Sequence, residues 1–155
     1  MKPYKAAIVG GLVAGVVTTL VMTAGRKSGV LGRTLDRDAV DWIDDTTGSR
    51  AVIGEAGTTA VEFVNHLGAS AAFAAAWPQL RRLAPDVPVP LLAAAYGTAL
   101  YAVNIGGIAP ILGITEGETA AGARKASERW AVHILQTVVT GLVAERLTDE
   151  ELRPE

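Results

Sequence analysis

The sequence predicts an all-α fold: an integral membrane bundle of four transmembrane helices, with a short interfacial amphipathic helix in the first loop. Three observations predict it. Half of the 155 residues are apolar and only 19% are charged, below the ~25% of an ordinary soluble domain. The charges gather in short blocks between apolar runs. Four of those runs reach the ~20 residues that a membrane helix needs at 1.5 Å per residue. The length fits a single membrane domain over 1–155.

The first span is expected over 6–25, "AAIVGGLVAGVVTTLVMTAG", between Lys2 and Lys5 on one side and Arg26 and Lys27 on the other. It holds no charge and so no polar face at period 3.6, which a soluble bundle would require. Its apolar length also exceeds the 7–15 residues of a signal-peptide core, so an uncleaved helix is expected. Gly11 and Gly15 form a small-residue groove for helix packing. The loop that follows contains "RTLDRDAVDWIDD", with Leu35, Ala39, Trp42 and Ile43 at helical spacing. This is the surface helix, about 34–45, with Trp42 at headgroup depth and Asp38, Asp41 and Asp45 on a solvated acidic face.

The second span, 58–77, contains Glu62, Asn65 and His66. Residues 78–86 read as a turn, and the third span follows over about 87–114. There Gly97 offers another close-packing position, and Pro110 removes a backbone hydrogen bond and favours a kink, helped by Gly106 and Gly107. After a polar linker over 115–126 the fourth span runs from about 127 to 147, with His133, Gln136, Thr137 and Thr140 along one stripe.

Antiparallel spans allow a comparison of depth. Counted from the loop side at 1.5 Å per residue, His66 lies ~12 Å, His133 ~9 Å, Asn104 ~14 Å and Thr18 ~10 Å into the membrane. Polar groups at that level are expected to face the bundle interior and pair there. The candidate polar layer is therefore Glu62, His66, Asn104, His133 and Gln136, with partners for the second helix waiting on the third and fourth. Asn65 points about 100° away from His66 and is assigned to a second interface or an oligomer contact.

Read from the second helix onward, the chain resembles the YagU-like family of small bacterial inner-membrane proteins. The matching residues are His66, then Pro110, Gly113 and Thr115 as P-x-x-G-x-T, then a polar linker, then Glu128 and His133. The interval from Glu128 to His133 and the first loop depart from the family pattern. The resemblance implies a multi-pass topology in the cell inner membrane; the family brings no established activity or cofactor.

Orientation rests on Lys and Arg in the connections. Lys2, Lys5, Arg81, Arg82, Arg146 and Arg153 lie in shorter segments than Arg26, Lys27, Arg33, Arg37, Arg50, Arg124, Lys125 and Arg129. Both termini are accordingly expected in the cytoplasm. A net charge of −2 argues against nucleic acid as a partner; the expected partners are the lipid bilayer and a second copy or another membrane protein. The absence of cysteine removes thiolate chemistry, and neither a nucleophile triad nor a phosphate-binding glycine loop occurs in context, so the sequence leans away from an enzyme without deciding the question.

Three functions remain open at this level. The polar layer is a structural network or supports a protein interaction; or Glu62, His66 and His133 carry protons or ions; or His66 and His133 are candidate ligands for a haem or a metal. No resident cofactor is expected under the first reading.

Overall fold

The computed structural model describes residues 1–149, and its elements are helices. Arg153, one of the cations used for orientation, lies outside the described residues.

Helix α1 spans Pro3–Lys27. Proline in its first turn is favoured because the missing N–H would be unpaired there anyway. Gly29, at φ +72°, ends it. The Val30 N–H reaches the Gly25 carbonyl at 2.9 Å and the Gly29 N–H reaches Arg26 at 3.1 Å, the paired bonds of a Schellman end. Helix α2 spans Leu35–Thr47, where Thr34 accepts the Arg37 N–H and Gly48 closes the other end at φ +65°.

Helix α3, Ser49–Ala74, is interrupted by the extended, positive-φ Gly54, so the long segment begins after it. Residues 78–86 are not a simple turn. Helix α4, Trp77–Leu83, occupies most of them, held by the Trp77 indole N–H donating to Glu145 at 3.0 Å and by Arg81, which lies 3.2 Å from Glu145 and donates to the Val87 carbonyl at 2.7 Å.

Helix α5, Val89–Val103, does not break ahead of Pro110. It passes through one π-helical turn, Asn104–Ile108, into α6, Ala109–Ile111. The Ala109 N–H reaches back to Asn104, which re-registers the ladder before proline removes a donor. Gly113 then ends the rod with a second Schellman pair, Ile114 to Ala109 at 2.8 Å and Gly113 to Pro110 at 3.1 Å. Helix α7 runs Glu118–Asp149 with an interruption at Gly122, so it starts earlier than residue 127.

The long helices pack in the order α3–α1–α7–α5. Their contacts are made by small side chains: Ala6, Ala7, Gly10, Gly11, Ala14 and Gly15 on α1 are buried, as are Ala74, Ala93 and Ala144 opposite them. Large apolar residues point outward, with Leu20 64%, Val64 67%, Leu91 63% and Ile111 83% exposed. Two segments, Pro3–Lys27 and Val89–Ile111, are long and apolar enough to cross a membrane. The other two expected spans are diluted by Glu62, Asn65 and His66 on α3 and by His133 and Gln136 on α7.

Candidate functional site: a polar layer and the chamber beneath α2

The site forms where α2 folds over the loop-side end of the bundle. Its inward face only partly coincides with the one the apolar spacing indicated: Leu35 and Ala39 line the space beneath it. Val40 is buried and Asp36 points in, while Trp42 remains 37% exposed. The acidic face is not simply solvated either. Asp38 meets Arg33 at 2.7 Å and Arg129 at 3.1 Å, and Asp41 pairs with Arg33, Arg37 and Arg50. Asp45 alone of the three is left on the exposed side without an ion pair.

Asp36 reaches His66 on α3, its Oδ2 lying 3.0 Å from Nδ1. The other ring nitrogen, Nε2, lies 2.9 Å from Thr18 Oγ1, which is itself 2.9 Å from Gln136 Oε1. Gln136 Nε2 donates to the Gly11 carbonyl at 3.4 Å. The Gly11 carbonyl can only accept, so the Gln136 amide presents its oxygen to Thr18. Thr18 has one proton and four acceptors within reach: Gln136 Oε1, His66 Nε2 and the Ala14 and Gly15 carbonyls. His66 thus bridges Asp36 on α2 to Thr18 on α1.

The order Asp36–His66–Thr18 is that of a nucleophile triad, but Thr18 is fully buried and its hydroxyl also lies 2.9 Å from the Ala14 carbonyl and 3.1 Å from Gly15. It has no access to a substrate, and its contacts are those of a helix-packing residue.

Glu62 finds its partners in the first loop rather than on the third and fourth spans. Thr34 Oγ1 donates to it at 3.5 Å, and Arg37 and Arg26 stand at 3.7 and 3.8 Å. With Arg37 also 2.6 Å from Glu55, these contacts tie α2 to α3. Across the bundle Arg129, only 7% exposed at its side chain, joins Asp38 to Glu118 at 3.1 and 2.6 Å, and the Tyr101 hydroxyl donates to Glu118 at 2.6 Å. His133 donates from Nδ1 to the Arg129 carbonyl at 2.8 Å, its ring meeting the edge of Tyr101 at 5.9 Å and 72°.

Gly11, Gly15 and Gly97 are close-approach positions. A Cβ on Gly11 would lie 2.6 Å from the Ser70 carbonyl, and one on Gly15 would lie 2.9 Å from Ser70 Oγ. On Gly97 it would lie 2.5 Å from Thr137 Oγ1 and 2.8 Å from the His133 carbonyl. Gly10 and Gly141 are just as crowded, by Thr140 and Trp77, yet neither falls in the groove read from the sequence. Asp36, Asp38, Ser70 and Arg129 are further site residues missed there. An acid that faces inward breaks the apolar periodicity by which faces are recognised.

Beneath α2 lies a cavity of about 370 Å³, within the ~300–1,000 Å³ range of small-molecule sites. His66, Asn104, His133 and Gln136 all line it, with Asp36 and Arg129 at its α2 end. Phe73, Leu100, Ile108 and Val132 supply apolar wall. The side chain of Asn104, at the first position of the π turn, makes no hydrogen bond to the protein, and neither does that of the exposed Asn65, which lines the α3 side.

Among the described residues no group of three or more His, Asp or Glu side chains is arranged to hold a metal. His133 keeps Nε2 free, but His66 uses both ring nitrogens, so the two cannot share a haem or metal without breaking the Asp36 or Thr18 contact. No family model matches the chain, and neither a curated protein nor a solved structure matches it.

The Asp36–His66 contact gives a direct prediction. Asp36→Asn and His66→Gln are each expected to lower stability, and a double-mutant cycle on detergent-unfolding midpoints should return a coupling of ~0.5–3 kcal/mol. Additive effects would remove the Asp36–His66 contact described above.

Proposed function

We propose that the chain is a four-span integral membrane protein whose ionic and hydrogen-bonded layer is structural, fixing α2 over an intramembrane binding chamber. The observation that carries this reading is the inverted distribution of side chains: small and polar residues inside, large aliphatic residues outside on α1, α3 and α5. A soluble domain rarely leaves so wide an apolar surface uncovered. Close small-residue packing with a few interhelical polar bonds is the way helices associate in lipid. In this reading α3 and α7 cross because their polar side chains are satisfied by Asp36, Thr18, Arg37 and neighbouring carbonyls rather than left facing hydrocarbon.

The layer is read as a brace rather than a proton path because its hydrogen-bonded chain ends at the Gly11 carbonyl. Beyond it toward the termini the helices meet through Ala7, Gly10, Ala74 and Ala144, which carry no proton. Both termini are read as cytoplasmic from the Lys and Arg density of their short segments, and the inner membrane is the location that the YagU-like resemblance implies.

The chain lacks cysteine, so single-cysteine variants at Lys2, Asp45, Arg82 and Glu116 can be probed in intact cells with a membrane-impermeant maleimide. Labelling is expected at 45 and 116 only. Labelling at 82 together with 45 would leave α1 and α5 as the sole spans and end the four-span reading. Recovery of the protein in the soluble fraction would end the membrane reading altogether.

A further inference from the structure

Most polar groups around the chamber are already engaged: His66 by Asp36 and Thr18, Gln136 by Thr18 and Gly11, Arg129 by Asp38 and Glu118. Two are not. His133 spends its Nδ1 proton on the Arg129 carbonyl and makes no ion pair, which leaves a neutral ring with Nε2 as an unused acceptor. The Asn104 amide, on the facing helix α5, is unused as donor and acceptor. Neither group is sealed inside the protein, so an acceptor and an amide left open on the wall of one cavity describe the group they would receive. An O–H that donates to His133 Nε2 and accepts from the Asn104 amide satisfies both.

Charge and access narrow the class. The Arg33 and Arg129 cations at the α2 end already have anionic partners, and the rim carries both Lys125 and Glu128, so the lining does not single out an ion of either sign. The remaining wall is apolar. Helices α3 and α5 both line the chamber but meet at little beyond one bond, the Tyr96 hydroxyl donating to the Phe73 carbonyl at 2.7 Å. On the α3 side Asn65 is exposed, and a Cβ added at Gly68 would meet nothing. The gap between these helices opens sideways, toward lipid in the topology proposed above. The volume corresponds to about a dozen waters at ~30 Å³ each, room for a ring or a short chain but not for a diacyl lipid.

We propose that this chamber binds an uncharged, lipid-soluble hydroxyl compound, an alcohol or a phenol, which enters between α3 and α5 and is held by His133 Nε2 and Asn104. This rests on the chamber reading given above.

The test uses full-length protein in nanodiscs with ¹⁵N-labelled histidine; the chain has only two histidines, and a His66→Gln variant assigns them. The probes are 4-propylphenol, its methyl ether, 1-octanol and octanoate. Saturable binding of the phenol or the alkanol is expected to shift the His133 Nε2 resonance. Binding should weaken about tenfold, the worth of one good hydrogen bond, for the methyl ether and for Asn104→Leu. Response to one hydroxyl probe and not the other decides between phenol and alkanol.

Equal affinity for phenol and ether, a comparison that needs no variant, overturns the proposal. So does octanoate displacing both hydroxyl probes, which leaves the chamber intact but makes it an anion site. Binding of none of the four compounds removes the chamber reading as well, and a dimer that closes the α3/α5 gap assigns that gap to a second copy instead.

Discussion

Arg129→Met is expected to cost about 3–5 kcal/mol of stability, the usual loss when one partner of a buried ion pair is removed. Arg129 is the bridge between two carboxylates from distant parts of the chain, Asp38 on α2 and Glu118 at the start of α7. Methionine keeps much of the volume and removes the charge, leaving Asp38 and Glu118 at 15% and 18% side-chain exposure. Each retains one neighbour, Arg33 at 2.7 Å for Asp38 and the Tyr101 hydroxyl at 2.6 Å for Glu118, so the lower end of that range applies. Thermal unfolding in detergent measures the loss. Arg129→Lys separates charge from geometry, because one ammonium cannot serve both carboxylates as a guanidinium fork does; it should fall between wild type and Met. A Met variant within about 1 kcal/mol of wild type, the range of an exposed pair, would show that the bridge contributes no more than a surface contact.

That bridge shows where sequence reasoning stops. Composition and run length are one-dimensional, so the helical architecture could be read directly, and residues at a common depth could be picked out because helical rise is constant. His66, Asn104, His133 and Gln136 do line one cavity. The partners could not be read the same way. Glu62 and His66 looked toward the third and fourth spans because i, i+4 spacing says which residues share a face, not which element covers it. The covering element is α2. Its apolar set, Leu35, Ala39, Trp42 and Ile43, suits a lipid surface as well as a protein one, and nothing in that periodicity shows that Asp36 and Val40 join Leu35 and Ala39 on the inward side while Trp42 stays exposed.

The connections after the first and third spans had one further signal within reach. Gly54 and Gly122 interrupt helical runs at positive φ, and such isolated glycines mark possible breaks. Proline at the second position of "WPQLRRL" is also a helix-start signal, and it announces α4. Pro110 carried the opposite lesson. A kink is the usual consequence of an internal proline, but a π turn over Asn104–Ile108 absorbs the lost bond and leaves Asn104 on the chamber wall.

The glycines give the second large effect, and its sign discriminates between packing and propensity. Gly97→Val should separate α5 from α7 and cost about 3 kcal/mol, the upper part of the range for overpacking. Its Cβ would press against the His133 carbonyl at 2.8 Å and the Ile134 Cα at 2.9 Å. These are backbone atoms of a long helix and cannot rotate away as a side-chain end can. The strain also reaches the Thr137 hydroxyl, which donates to the Ala93 carbonyl at 2.8 Å across the same crossing. Gly97→Ala is the sharper comparison. Alanine is better than glycine in a helix by about 0.8–1.0 kcal/mol, so a net loss at 97 can come only from the crossing. Gly68→Ala, on α3 where an added Cβ meets nothing, should gain up to that amount. Opposite signs for these two alanine variants, read from unfolding midpoints, are the expected result. If both gain alike, α5 and α7 do not approach at Gly97 as described, and the wall that carries His133 and Asn104 has to be redrawn.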